Sequence, residues 1–286
     1  MFSDPMLLAT APGPFSDPRY IFEPKIDGHR LIFSQQDGVI RLYTRHNNDC
    51  TRQYPELQLP FENDVILDGE VACVDPATGV SDFEAVMTRF QAKRADKVKR
   101  LTAELPAYYA IFDILMCRGQ DLRRLPLTER KEILASLALP SPNFGIVPHI
   151  VGAGEALFDQ IKARGMEGVV GKRMDSPYET GRRSDNWRKV INWTYADVYI
   201  TGYRKTEFGW LAGVADERGG IRLAGIIEFG TGLTERQAFY GVAQQIVTGE
   251  DRDFVYVEPR IKVRVKMRNW TKSGLMLHPF FISFIL

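Results

Sequence analysis

The sequence predicts an α+β protein: antiparallel sheets with flanking helices over residues 1–193, then a small all-β barrel over residues 194–286. Three observations carry this. Strand patterns joined by hairpin signals dominate the first two-thirds of the chain, with a few helical stretches between them. After Trp193 the pattern turns to short strands around one helix. One of those strands, Phe254 to Met267, alternates cationic and apolar residues over much of its length. At 286 residues, 44% hydrophobic and 26% charged, the chain has ordinary globular composition, enough for two medium domains.

Taken in order, Tyr20 to Phe33 and Val39 to Arg45 read as strands joined at Asp37-Gly38, a favoured hairpin dipeptide. Val65 to Val74 and Tyr108 to Leu115 read as further strands, the second almost continuously apolar and so expected to be buried. Between them Ser81 and Glu84 have capping-box spacing and open a helix. That helix is expected to run on through the basic residues Arg89, Lys93, Arg94, Lys97, Lys99 and Arg100, which share no single stripe and so read as a solvated face. A helix begins near Thr128 and ends before Pro140, and another spans Glu155 to Arg164, stopped by Gly165. In the second region the strands are Asp197 to Tyr203, Leu211 to Ala215, Ile221 to Phe229 and Phe254 to Met267. Gly219-Gly220 turns one hairpin, and a helix from about Thr234 to Val247 takes Thr234 and Gln237 as its cap. Short strands with one inserted helix fit a barrel of the oligonucleotide-binding kind.

Bulk properties exclude several classes. No apolar run approaches the ~20 residues that span a bilayer. The start, Met1-Phe2-Ser3-Asp4-Pro5, has neither the basic nor the apolar part of a secretory signal, so a cytoplasmic protein without membrane contact is expected. Cys50, Cys73 and Cys117 are too few and too scattered for a zinc knuckle or a disulfide framework, and read as buried apolar side chains. With 37 Lys+Arg against 36 Asp+Glu, net charge says nothing about nucleic acid; only local distribution can.

Locally, two features stand out. Arg260, Lys262, Arg264, Lys266 and Arg268 alternate with apolar residues, so period-two geometry puts five cations on one face. Edge protection needs one or two such charges. Five in register repel one another unless an anion lies nearby, which points to a phosphate backbone. The second feature is Glu23-Pro24-Lys25-Ile26-Asp27-Gly28-His29-Arg30. On a strand, Lys25 and Asp27 share a face, Gly28 permits a turn or a close approach, and Arg30 offers a planar fork to phosphate or ribose oxygens.

Downstream lie Thr44-Arg45-His46-Asn47, Leu67-Asp68-Gly69-Glu70, Ala110-Ile111-Phe112-Asp113, Glu167-Gly168-Val169-Val170-Gly171-Lys172 and Trp187-Arg188-Lys189. Read singly, each has a bland account: a core aromatic, a strand-end acid, a surface lysine. Together, in this order, they resemble the nucleotidyltransferase motif series of ATP-dependent DNA ligases, over nearly the whole chain. Phe22-Glu23-Pro24-Lys25, Gly181-Arg182-Arg183-Ser184, Trp270-Thr271-Lys272-Ser273-Gly274 and His278-Pro279-Phe280 look like the ligase module of bacterial end-joining ligases and small bacterial or phage ligases.

The resemblance implies an adenylation (nucleotidyltransferase) domain followed by an OB-fold domain that grips DNA, closing over ATP and then reopening. Lys25 attacks the α-phosphate of ATP and carries AMP. AMP passes to the 5′-phosphate of a nicked duplex, and the 3′-hydroxyl then closes the backbone. Glu23 helps read the adenine amino group, and Phe112 stacks on the base. Glu70 lies near the ribose or orients a metal-bound water. Arg30 and Arg45 contact AMP or the DNA 5′-phosphate, and Lys172 and Lys189 line the phosphate site. Glu167, with Glu70 and Asp27, supplies ligands to Mg²⁺ or Mn²⁺. Lys272 joins the five-cation strand as a DNA contact. The enzyme is expected to act as a monomer, with recruitment by a DNA-end-binding protein as one option. A free lysine, with a pKa near ~10.4, is an amine in roughly one molecule in a thousand at neutral pH, so the metal and neighbouring cations must favour the neutral form. RNA joining and mRNA capping share the lysine motif and remain the rival reading.

Three positions depart from the family pattern. Asn47 stands where a glycine is usual, and asparagine tolerates positive φ. Ile191 replaces a second lysine and Leu277 an arginine, which leaves Lys189 as the cation of its motif and Arg268 or Lys272 to orient the leaving pyrophosphate.

Overall fold

The computed structural model describes residues 2–216 and 219–285. Two compact units divide it, Met1–Asn192 and Trp193–Leu286.

In the first unit, β1 (Leu7–Thr10), β2 (Asp17–Pro24), β3 (His29–Gln36), β4 (Val39–Thr44) and β5 (Val65–Cys73) precede two helices, α1 (Phe83–Phe90) and α2 (Ala95–Glu104). Then come β6 (Ala107–Cys117), β7 (Gln120–Asp121), α3 (Leu127–Ala135), β8 (Phe144–Ile146), β9 (Ile150–Gly152), α4 (Gly154–Ala163), β10 (Gly168–Arg173) and β11 (Arg183–Ile191). Two sheets result. One runs β1-β11-β10-β2-β9 and the other β4-β3-β5-β6-β7, with β8 beside β6. Most neighbours are antiparallel, but β1 runs parallel to β11 and β8 parallel to β6. Between the sheets lies a core of Met6, Ile21, Ile32, Ile66, Leu115, Tyr178 and Trp187. On the far side of the second sheet Leu31, Phe33, Leu67, Tyr109 and Phe144 pack with Val86 of α1 and Leu134 of α3. α4 covers Tyr20, Phe22 and Val169 on the first sheet through Ile161.

The local chemistry explains these elements and corrects several boundaries. Asp37 and Gly38 take φ of 50° and 72°, the left-handed pair that a tight β3–β4 hairpin requires. The predicted run from Tyr20 to Phe33 is two strands. Lys25, Ile26, Asp27 and Gly28 link them outside any strand, so Lys25 and Asp27 do not share a strand face. α1 is capped by Asp82, whose carboxylate accepts from the Ala85 N–H at 3.0 Å, rather than by Ser81. It stops at Phe90, and a separate α2 carries the exposed Lys97, Lys99 and Arg100. Arg89 leaves the basic patch altogether: it is buried and donates to the Glu56 carboxylate at 2.7 Å and the Gln53 carbonyl at 2.8 Å.

In the second unit, β12 (Thr194–Arg204), β13 (Trp210–Ala215) and β14 (Ile221–Ile227) form a meander, followed by α5 (Leu233–Ala243), β15 (Val247–Glu250), β16 (Phe254–Met267) and β17 (Phe280–Ile285). The strand order is β14-β13-β12-β16-β15, with β17 beside β16. A parallel bridge between Phe229 and Phe280 joins the β14 end to the β17 end. That closure, with a helix between the third strand and the returning strands, is the OB-fold Greek key. Val198, Ile200, Trp210, Val263, Val265, Met267 and Phe281 fill the barrel. The α5 cap is Gly232, whose N–H donates to Glu235 Oε2 at 2.8 Å, in place of the predicted Thr234 and Gln237 pair. Residues 217 and 218 of the β13–β14 connection lie outside the described residues. No described helix is long and apolar enough to cross a membrane.

Candidate active site

A cavity of about 500 Å³ opens in the first unit and is lined by Glu23, Lys25, Gly28, Arg30, Arg45, Glu70, Phe112, Lys172, Arg183, Trp187 and Lys189, among others. Strands from both sheets deliver these groups: Glu23 ends β2, Arg30 starts β3, and Glu70, Phe112, Lys172 and Trp187 sit on β5, β6, β10 and β11.

Lys25 is placed by the link after β2. Its N–H donates to the Gly168 carbonyl at 2.8 Å, and its ammonium lies 2.6 Å from Glu167 Oε1, a carboxylate almost wholly buried. Two glycines allow this. A Cβ on Gly28 would lie 2.0 Å from the Val71 carbonyl oxygen, so only glycine lets the link press against β5. Gly168, at φ 153°, does the same against the Val190 carbonyl of β11. Gly28 thus serves a close backbone approach and not a left-handed turn. Asp27, predicted to act beside Lys25, is not among the residues lining the cavity. Glu70 is on the wall; burial pushes its carboxyl up to about 7, against the pull of Lys25 and Arg30.

At the other end, Glu23 is buried between two lysines. Its Oε2 is 2.7 Å from Lys172 Nζ, and its Oε1 pairs with Lys131 of α3. Burial raises the Glu23 carboxyl, but the two ammonium groups outweigh it and the net direction is down. Lys172 Nζ also sits 4.2 Å from the ring centres of both Phe112 and Trp187, and burial pulls it down to about 8. Lys172, expected to line the phosphate site, is on the cavity wall, where its ammonium meets the Glu23 carboxylate and the two aromatic rings. Lys131 was missed, and nothing in Glu129-Arg130-Lys131-Glu132 marks it out from a helical surface lysine.

Arg30 is more committed than expected. Its Nε and Nη2 each lie 2.5 Å from an oxygen of Asp68, Nη2 also donates to the Met6 carbonyl at 3.2 Å, and the guanidinium stands 4.6 Å from the Phe112 ring centre. Tyr178 donates to Asp68 Oδ2 at 2.6 Å and accepts from the Met6 N–H at 2.9 Å. The fork that was expected on phosphate is therefore mostly spent on Asp68, a residue the sequence reading passed over beside Glu70. Arg45, exposed, and Lys189 both line the cavity. Arg183, which the sequence reading did not single out as a site residue, lines it too.

The family departures have structural counterparts. Asn47 takes φ of 60°, so the left-handed turn persists without glycine. Ile191 is buried and pairs with Gly168 at the end of β11, a place where an ammonium would be desolvated.

His29, on the cavity wall, makes a 2.5 Å hydrogen bond to the Tyr54 hydroxyl and packs against Phe90; burial lowers its pKa to about 4. A depressed histidine leaves the fold at full strength above the unfolded value near 6.5 and weakens it as pH falls through 4, here by up to about 3 kcal/mol. His29→Gln is expected to flatten the decline of Tm between pH 6.5 and 4, measured by thermal melts across that range.

In the second unit, the cationic strand is less free than its pattern suggested. Arg264 Nε lies 2.8 Å from Asp197 on β12, and Arg260 Nε 2.5 Å from Glu258. Lys262 lies 5.8 Å from the Tyr199 ring centre, and Lys266 5.0 Å from that of Trp193. Arg268 follows the strand, and Lys272 sits in the Thr271–Gly274 turn.

Comparison with known proteins bears on this geometry. A family profile described as the ATP dependent DNA ligase domain matches residues 7–190. The chain is 42% identical over 284 residues to the SPbeta prophage-derived DNA ligase-like protein LigB of Bacillus subtilis, covering 99% of each chain. It is 30% identical over 278 residues to the multifunctional non-homologous end joining protein LigD of Mycobacterium bovis, covering 90% of this chain and 35% of that one. Its structure is similar to that of a mycobacterial DNA ligase D solved with ATP and MES, at a TM-score of 0.61 and 25% identity over 99% of this chain and 95% of the other. The profile match over residues 7–190 and 42% identity along nearly the whole of a DNA ligase-like protein make this chain a member of the ATP-dependent DNA ligase family.

Proposed function

We propose that the chain joins nicks in duplex DNA, with Lys25 carrying AMP between ATP and the 5′-phosphate. The observation that supports this best is Lys25 on the wall of a cavity with two chemically distinct ends, its ammonium 2.6 Å from Glu167, which, like Asp27, is not itself among the lining residues. Glu23, Lys172, Phe112 and Trp187 form an aromatic, hydrogen-bonding end suited to a base. Arg45, Arg183 and Lys189 offer cations suited to phosphates.

In this reading Lys25 loses its proton, its nitrogen bonds to the α-phosphorus, and the bond to the departing pyrophosphate breaks. Glu167 orients the side chain, and the proton passes to solvent. Arg30 braces the Phe112 ring, and Arg45 meets phosphate. Among the described residues no group of three or more His, Cys, Asp or Glu side chains forms a metal cage. Glu70 and Glu167 would be the residues to hold an ion, and as hard oxygen donors they would suit Mg²⁺ or Mn²⁺ better than zinc. Such an ion, when bound, neutralises phosphate charge. The protein then acts as a monomer on cytoplasmic, nucleoid-associated DNA, and recruitment by a DNA-end-binding protein suits its likeness to the end-joining relatives.

Incubation with ATP and Mg²⁺, followed by nicked DNA or nicked RNA duplexes, tests the proposal. A covalent AMP adduct and joined DNA are expected; joining confined to RNA would support the rival reading.

For the second unit we propose that Lys262 and Lys266, which rest against the Tyr199 and Trp193 rings, contact the DNA backbone, together with Arg268 and Lys272 and with Arg260 and Arg264, whose guanidinium groups are also paired with Glu258 and Asp197. Changing Lys262 and Lys266 together to Ala is expected to weaken nick binding and reduce the slope of log K against log salt by up to about 1.8. Adduct formation on Lys25 should persist, and an unaltered salt slope would count against the assignment.

A further inference from the structure

Glu23 is gripped from two sides. Lys172, on β10, approaches Oε2 and lines the cavity, whereas Lys131, on α3, approaches Oε1 and is absent from the cavity lining. Both lysines are nearly inaccessible, at 2% and 7% exposure, so the trio is a built cluster and not a surface ion pair. Two ammonium groups on one buried carboxylate are more than charge compensation requires. A single partner from the cavity side would leave Glu23 free to turn or to take up a proton. An ionised carboxylate only accepts hydrogen bonds. It can take an N–H from a 6-amino purine, but it confronts the oxygen of a 6-oxo purine acceptor to acceptor.

We infer that Lys131 is a specificity-determining positioning residue: from behind Glu23 it holds the carboxylate as a fixed acceptor and so selects a 6-amino over a 6-oxo purine triphosphate. The inference rests on the reading above, in which this end of the cavity receives the base. Lys131 itself is not among the cavity-lining residues. The two lysines also act electrostatically on the nearby His149, and Asp113 acts on Lys172, but Asp113 is occupied by Arg130, its two oxygens each 2.8 Å from a guanidinium nitrogen.

The test compares covalent adduct formation with ATP and with inosine triphosphate, which differ at the 6-position, in the full-length wild type, Lys131→Met and Lys131→Arg. Lys131→Met is expected to lower the ATP-to-ITP ratio of kcat/KM by roughly tenfold or more, chiefly through a raised KM for ATP. Lys131→Arg, which retains a cation behind Glu23, should restore most of the ratio. Partial unfolding reduces both nucleotides equally and leaves the ratio unmoved, and Lys131→Gln replaces the methionine variant if the latter does not fold. A ratio in Lys131→Met equal to that of the wild type overturns the assignment, as does a wild type that uses both nucleotides alike. A wild type that forms no adduct with either nucleotide overturns the broader reading of Lys25 instead.

Discussion

Replacing Lys25 by Arg is expected to reduce covalent AMP incorporation from ATP to background, a fall of roughly 10⁴-fold or more, the scale on which an enzyme loses a nucleophile. The substitution is chosen for what it keeps. Arginine can still meet Glu167, which lies 2.6 Å from the lysine nitrogen and has almost no solvent to stabilise it. Its guanidinium, however, does not deprotonate in proteins and cannot attack phosphorus. Lys25→Ala removes the nucleophile and also a 2.6 Å ion-pair partner of the buried Glu167 carboxylate, so it should lose thermal stability as well as adduct. Mass spectrometry of the protein after incubation with ATP and Mg²⁺, paired with thermal melts, separates the two effects. An adduct of normal yield in either variant would sink the role of Lys25.

The second large effect is structural. Arg130 and Asp113 are both completely inaccessible, joined by two 2.8 Å hydrogen bonds, and Arg130 also donates to the carbonyls of Leu125 and Ser176 at 2.6 and 3.0 Å. Arg130→Met strands a carboxylate and two carbonyl oxygens in the interior. Breaking one side of such a pair costs about 3–5 kcal/mol. For a unit of this size that is a fall in Tm of roughly 6–20 °C. The double variant Asp113→Leu with Arg130→Met should recover much of the loss, because no charge remains buried. A melt of Arg130→Met within a degree of wild type would show that the pair contributes little.

The strand Phe254–Met267 was legible to the residue because alternation of charge and hydrophobicity persists over most of its length, and period two has no rival explanation there. The link at Lys25 was not, because apolar residues on both sides of it, Tyr20 to Phe22 and Leu31 to Phe33, make one continuous pattern. The break comes from a tertiary constraint, the approach of Gly28 to the Val71 carbonyl, and no local signal reports a neighbour from another strand. The cavity-lining residues Glu23, Lys25, Arg30, Arg45, Glu70, Phe112, Lys172 and Lys189 were legible as a set because each sits in a recognisable motif. Asp68 and Lys131 were not. Each pairs with a predicted site residue, Asp68 with Arg30 and Lys131 with Glu23, and that relation exists only after β5 and α3 are packed. The same distinction separates Lys262 and Lys266 from Arg260 and Arg264, whose acids lie at Glu258, two residues upstream on the same strand, and at Asp197 on the neighbouring one.

Met6 is wholly inaccessible and its backbone bonds both Tyr178 and Arg30, Leu7 and Leu8 line the cavity, and β1 runs parallel to β11. Removing the first ten residues would therefore not trim a tail. It would unzip a sheet edge, take away part of the cavity wall and release the clamp on Asp68. An expression fusion at the amino terminus needs its spacer before residue 3, and a circular permutant that moves this strand elsewhere must return it to β11 before the cavity can close around a nucleotide.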